Sequence, residues 1–212
     1  MPIRAVIFDF NGTLSLDEPV LCRIYRDLFA EYGKPISDRD YYERLSGLAE
    51  RTIAEDCLGA GDPRIPAFIR ERIDRYRLSV ADGSTVTEAM RVAVAFAAER
   101  ARLAIVSGAA REEIVPVVHA AGLANLFAAV VADDDVERGK PEPEGYLRAL
   151  ETLGAAAGET LVFEDTEAGV AAATAAGTRV VAVLGTQAPE RLTAAEELVE
   201  RVDVPLLRRL LG

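Results

Sequence analysis

Continuous apolar runs and helix-spaced apolar positions divide this chain into two kinds of segment. Residues 3–9, continuously apolar from Ala5 to Phe8, end in Asp9-Phe10-Asn11-Gly12-Thr13, the pattern of a buried strand. From about residue 17 to about 80, apolar positions recur at helical spacing. Breaks fall at Gly33-Lys34-Pro35, Ser46-Gly47, Gly59-Ala60-Gly61-Asp62-Pro63 and Asp82-Gly83-Ser84, and no strand pattern intervenes. The period then changes. Helices over about 86–100, 111–121, 144–153 and 167–176 alternate with short apolar runs over about 103–106, 127–131, 160–163 and 179–183. Strands alternating with helices of this length predict an α/β fold with a parallel, doubly wound sheet. An all-helical insertion interrupts it after the first strand. The expected division is a core of residues 1–14 and 84–212 and a helical domain of residues 15–83. The last 25 or so residues read as helical turns packed on the sheet.

Composition narrows the classes. The chain has 212 residues, 50% hydrophobic and 28% charged, enough for one core domain with a modest insertion. No run reaches the roughly 18 apolar residues of a membrane span. The strand pattern begins almost at the first residue, so nothing there reads as a signal or transit peptide. Net charge is −11, from 24 basic and 35 acidic residues. Such a surface repels nucleic-acid phosphates and anionic membranes, so neither is expected as a partner. Cys22 and Cys57 lie far apart without ligand neighbours and read as packed thiols of a cytoplasmic protein. Arg70, Arg72, Arg75 and Arg77 spread around one helix beside Glu71 and Asp74 and read as a solvated face.

In open α/β sheets ligands bind outside the carboxyl ends of the strands. The first strand delivers Asp9 there, the second Ser107-Gly108, and the fourth Glu164-Asp165-Thr166. A loop after the third carries Gly139-Lys140-Pro141. Together these are the parts of a phosphoryl-transfer site. A carboxylate can attack phosphorus and form an aspartyl-phosphate, provided cations cancel its repulsion from the dianion. Asp9, Glu164 and Asp165 offer oxygens suited to Mg²⁺. Lys140 adds a point charge, Ser107 a hydrogen bond, and Gly12 and Gly108 allow backbone N–H groups close to phosphate oxygens. Asp133-Asp134-Asp135 reads as a solvated stretch of which Asp133 or Asp134 orients Lys140.

These segments resemble the four motifs of the haloacid dehalogenase superfamily, in order and over nearly the whole chain. Phe8-Asp9-Phe10-Asn11-Gly12-Thr13-Leu14 looks like the first, Ile105-Val106-Ser107-Gly108 the second, Arg138-Gly139-Lys140-Pro141-Glu142-Pro143 the third, and Phe163-Glu164-Asp165-Thr166-Glu167-Ala168-Gly169 the fourth. The helical insertion resembles the cap of the branch that holds β-phosphoglucomutase and phosphoglycolate phosphatase. The resemblance implies a Mg²⁺-dependent phosphatase or phosphotransferase for a small phosphorylated metabolite, as a monomer or weak homodimer. Asp9 would be the nucleophile. Gly12, Thr13, Ser107, Gly108 and Lys140 would meet the phosphate. Asp9, the Asn11 backbone carbonyl and Asp165 would hold the metal, with Glu164 contributing directly or through water. Gly47, Glu50 and Arg51 would be the substrate-facing cap residues.

One departure stands out. The family's second aspartate, the general acid and base, is Asn11 here, and an amide does neither job. Losing such a group typically costs about 10²–10⁴-fold. Three readings follow: a substrate whose leaving group needs no proton, a weak enzyme or phospholigand-binding relative, or an introduced Asp-to-Asn change. Two relatives with unusual residues at this position fit poorly. Phosphonoacetaldehyde hydrolase needs a cap lysine where this chain has Glu50, and the metal-free 2-haloacid dehalogenases have a tyrosine at the position of Asn11, whereas Glu164-Asp165 and Gly12-Thr13 here favour phosphate chemistry. β-Phosphoglucomutase has an arginine at the Glu50 position for a second phosphate. That contrast predicts a substrate with one phosphate and a hydroxyl- or amine-bearing portion facing Glu50.

Overall fold

The structure is a computed structural model that describes residues 2–212; residue 1, the first of the expected core segment, lies outside the described residues. Six parallel strands form one sheet: β1 (Ala5–Phe8), β2 (Arg102–Val106), β3 (Phe127–Val131), β4 (Thr160–Glu164), β5 (Arg179–Val183) and β6 (Glu197–Val199), in the order β3-β2-β1-β4-β5-β6. Alternation sorts the strand residues onto two apolar layers. Val6, Phe8, Leu103, Ile105, Leu161 and Phe163 face one, while Ala5, Ile7, Ala104, Val106 and Val162 face the other. Burial on both faces is why the strands read as unbroken apolar runs.

Helices α1 (Glu18–Glu31), α2 (Asp38–Asp40), α3 (Glu50–Leu58) and α4 (Ile65–Val80) lie between β1 and β2 and form the expected helical insert. A π-helical turn over Tyr41–Leu45 continues α2. The insert packs on aromatic rings: Tyr25 stacks on Tyr41 at 5.9 Å and on Phe68 at 6.5 Å, and Phe29 meets Phe68 edge-on at 6.2 Å. Burying each such ring stabilises by roughly 1.5–3 kcal/mol. The core helices are α5 (Glu88–Ala98), α6 (Arg111–Ala120), α7 (Glu144–Leu153), α8 (Glu167–Ala175) and α9 (Val204–Leu211). No helix of the described residues is long and apolar enough to cross a membrane.

The C-terminal segment differs from its sequence pattern. Glu197-Leu198-Val199 adds a sixth strand at the sheet edge by pairing with β5, and only 204–211 is helical. Three residues in an acidic stretch carry too little alternation to register, and pairing with β5 overrides that weak local signal.

Candidate active site

The chain leaves β1 toward one neighbour, β2, and later returns on the other side as β4, so the strand order reverses at β1. Ligands of open α/β sheets bind at such a switch point. Asp9 follows β1 directly, and its N–H donates to the Phe163 carbonyl of β4 at 2.9 Å. The first and fourth motifs are thereby locked in register. Asp9, Glu164 and Asp165 are all buried, and one carboxylate oxygen from each lies within 4.8 Å of the others.

Lys140 reaches this cluster from the loop after β3. Its ammonium donates to Asp9 Oδ1, to Glu164 Oε1 at 2.5 Å and to the Val106 carbonyl at 3.2 Å. Burial alone lowers the Lys140 pKa, but Asp9 and Glu164 outweigh it and hold the group well above the usual lysine range. Asp133 and Asp134 are not among its hydrogen-bond partners, which corrects their expected orienting role. The Arg111 N–H donates to Asp134 instead, the Arg111 guanidinium pairs with Asp135, and exposed Asp133 faces the cavity. Burial raises the Asp9 carboxyl to about 7, against the pull of Lys140.

Glu164 is fully engaged. Oε1 also accepts from Tyr146 at 3.1 Å; Oε2 accepts from Asp165 N, Thr166 N and Thr166 Oγ1 at 2.8, 2.9 and 3.0 Å. Gly169 leaves room for it, since a Cβ there would lie 1.7 Å from Glu164 Oε1. Asp165 is only half satisfied. Its Oδ1 accepts from Thr13 Oγ1 at 3.1 Å, while Oδ2 is buried with no hydrogen-bond partner. Burial raises its carboxyl well above the usual range, and Asp9, Glu164 and Glu18 raise it further. Three carboxylates against one lysine, with an orphaned carboxylate oxygen among them, form a donor set that a hard divalent cation would satisfy. Gly12 turns with φ +76° directly over Asp165, where a Cβ would sit 2.0 Å from Oδ2.

A cavity of about 310 Å³ opens between this rim and the insert. Asp9, Asn11, Ser107, Gly108 and Lys140 line it from the core, and Gly47, Glu50 and Arg51 line it from the insert. Of the expected phosphate-facing residues, Thr13 is fully buried on Asp165, and the Ser107 hydroxyl accepts from Ala109 N at 3.1 Å. The insert loop is docked on the core: Gln187 donates to the Ser46 carbonyl at 2.9 Å, and Gly47 (φ +78°) packs against Gln187 and Thr166.

Several residues here escaped the sequence reading. Arg72 is not on a solvated face. It is 5% exposed, donates to Glu113 of α6 and lies 2.6 Å from Glu50, with its charge over Tyr25 and Tyr76. It shares the buried face of Ile65, Phe68, Tyr76 and Val80, a spacing that could have flagged it. Its neighbours Arg70, Arg75 and Arg77 do pair with surface acids. Asp17 and Glu18 were hidden inside an Asp-Glu-Pro helix start. Asp17 is fully buried and accepts from Gly12 N at 3.2 Å, from Tyr76 Oη and from the Asn11 amide at 3.0 Å. Glu18 faces the cavity and accepts from Tyr41 Oη at 2.9 Å.

Comparison with known proteins agrees with this architecture. Residues 6–183 match the model of the haloacid dehalogenase-like hydrolases. The chain is 34% identical to Protein CbbY of Rhodobacter capsulatus, over 85% of each chain. It is 31% identical to a phosphorylated carbohydrates phosphatase of Thermotoga maritima, over 82% of each. Among solved structures, an Asp-to-Asn mutant of CbbY from Rhodobacter sphaeroides in complex with xylulose-1,5-bisphosphate superposes with a TM-score of 0.82. It is 25% identical, with 94% of this chain and 95% of that one covered.

Proposed function

The chain belongs to the haloacid dehalogenase-like hydrolases, and we propose that it is a Mg²⁺-dependent phosphatase of a small phosphorylated sugar or related metabolite, phosphorylated on Asp9. The observation that carries this reading is the meeting at the switch point of Asp9 and Lys140, which line the cavity, with the half-satisfied Asp165 buried beside Asp9. Asp9 attacks phosphorus while Lys140, fixed by Glu164, faces the phosphoryl oxygens. Ser107 and the backbone at Gly108 complete the phosphate cradle, and Thr13 steadies Asp165; the Gly12 N–H, expected to meet phosphate, is taken by the Ser15 carbonyl and Asp17. Asp9, Asp165 and the Asn11 carbonyl would hold the cation, with Glu164 behind them. Bound there, it supplies the positive charge that lets a carboxylate approach a phosphate dianion.

Residues 15–83 serve as a cap over a core of residues 1–14 and 84–212, and Gly47, Glu50 and Arg51 meet the leaving portion. Arg72 is occupied by two carboxylates, and Arg51 is paired with Glu55. The cap side of the cavity therefore suits a hydroxyl- or amine-bearing group better than a second phosphate. Asn11 carries no carboxylic proton, so position 11 gives no general acid–base assistance.

Steady-state phosphate release from a panel of sugar monophosphates and acyl phosphates tests the assignment. Release should require Mg²⁺ and fall at least about 10⁴-fold in Asp9→Asn, the scale of losing a covalent nucleophile. Tight binding of phosphate esters without release would instead identify a phospholigand-binding protein, the reading that Asn11 by itself favours.

A further inference from the structure

The phosphatase reading leaves one position empty. An alkoxide leaving group needs a proton, and the aspartyl-phosphate needs a base to activate water. The Asn11 amide supplies neither, and it is held by Asp17 at 3.0 Å and Tyr76 at 3.3 Å. Two carboxyl groups follow in the next turn. Asp17 is fully buried and does not line the cavity; its oxygens accept from Asn11, Gly12 and Tyr76. Glu18 is different. It lines the same cavity as Asp9 and Asn11 and takes part in no ion pair among the described residues. Its side-chain hydrogen bond comes from the Tyr41 phenol, which occupies Oε2 only.

The other ionisable groups of the cavity are committed or remote. Lys140 is held between Asp9 and Glu164, Glu50 is paired with Arg72, Arg51 is paired with Glu55, and Asp133 is exposed at the rim. We propose that Glu18 is the general acid and base of this enzyme, doing from the first residue of α1 what Asn11 cannot do from the end of β1.

The inference rests on the phosphatase reading, and its proton inventory closes. As an Asp9 oxygen bonds to phosphorus, the ester P–O bond breaks toward the leaving oxygen, which takes the Glu18 proton and departs as an alcohol. Glu18, now a carboxylate, takes a proton from water as the water oxygen bonds to phosphorus. The Asp9–phosphorus bond breaks, inorganic phosphate leaves, and Asp9 and Glu18 return to their starting states.

The groups around Glu18 suit that cycle. Burial, with Asp17 and Asp9 adding to it and the Tyr41 hydrogen bond and Arg72 opposing it, raises its carboxyl to about 7. Glu18 in turn raises the Asp165 carboxyl at the end of β4, so it stands within electrostatic reach of the reacting centre. An acid with a pKa near the working pH is the efficient choice for shuttling a proton.

The test compares two leaving groups in Glu18→Gln. On the sugar monophosphate that the unaltered protein turns over best, kcat should fall about 10²–10⁴-fold with KM nearly unchanged. On p-nitrophenyl phosphate, whose leaving group needs no proton, the first-turnover burst of p-nitrophenolate should stay within about tenfold. That burst also shows that the variant is folded. Sugar-phosphate turnover by the unaltered protein should decline as pH rises through about 7, where Glu18 loses its proton, and the variant should lack this limb. Tyr41→Phe removes a bond that favours the ionised form, so it should move the limb to higher pH, which a packing defect would not do.

An equal loss on both leaving groups, or an alkaline limb retained in Glu18→Gln, would overturn the assignment and leave the phosphatase reading standing. No Mg²⁺-dependent release from any ester by the unaltered protein would sink both.

Discussion

The strand-end rim and the inner face of the insert both bury charge, but they balance it differently. At the rim, one lysine faces Asp9 and Glu164 while Asp165 keeps an unpartnered buried oxygen. In the insert, Arg72 is enclosed by Glu50, Glu113 and the rings of Tyr25 and Tyr76. The rim is thus short of positive charge in a way that invites a cation. The insert cluster sets its one cation between two carboxylates, although Arg72 Nε and Glu50 Oε1 make no hydrogen bond, and it ties helix α4 to helix α6 of the core. Where charge is left unpaired, the fold is prepared for a ligand; where it is closed, it holds two parts of the chain together.

Removing the central charge of the closed cluster should therefore have the largest effect on stability. Arg72→Met leaves buried Glu113 and half-buried Glu50 without a counter-charge, and breaking such a buried pair costs about 3–5 kcal/mol. Denaturant unfolding at neutral pH checks it. Burial already pushes the Glu113 carboxyl from its ordinary 4.5 up to about 7, against the pull of Arg72. A group that binds its proton more tightly folded than unfolded contributes stability below its unfolded pKa and loses it as pH rises through the folded one. Without Arg72 the folded value climbs further, so the deficit should be larger at pH 8 than at pH 5. A deficit that is the same at both would mean that Glu113 is not the uncompensated group.

At the rim the corresponding change should appear in rate. Lys140→Met keeps much of the side-chain volume and removes the charge between Asp9 and Glu164. Losing one pre-organised electrostatic contact of this kind costs about 10²–10³ in kcat. Phosphate release at saturating Mg²⁺ measures it. A loss of under tenfold would show that the cation alone carries the neutralisation, and would shift the weight of the site from Lys140 to Asp165.

The same contrast explains what could be read in advance. Asp9, Ser107 and Asp165 were legible because strand ends place them by backbone geometry, and Lys140 because a short motif of fixed type marks the loop that carries it. The insert cluster was not legible. Arg72, Glu50 and Glu113 come from three helices, and nothing local distinguishes Arg72 from Arg70 or Arg75 except its register with Phe68 and Tyr76. Glu18 was obscured because acidic residues and proline at a helix start have a sufficient local explanation. β6 was missed for the converse reason: its three residues have little local signal, and the neighbouring strand makes them a strand.

Asn11→Asp is the smallest expected effect, and it separates the two regions most directly. If proton transfer were missing from the site, restoring a carboxylic acid at position 11 would return the full value of a general acid and base, about 10²–10⁴-fold on alkyl phosphates. With Glu18 already in that role, the second acid is redundant, and the gain should stay within about tenfold. The new carboxyl would also stand against Asp17, which is fully buried and now accepts from the Asn11 amide. Two carboxyl groups in that contact cannot both ionise cheaply, and one must keep a proton for them to share. Unfolding of Asn11→Asp should therefore show a penalty that grows with pH, since the shared proton is harder to hold as pH rises. A gain of two or more orders of magnitude would identify a site that lacks its acid, and would take the proton shuttle away from Glu18.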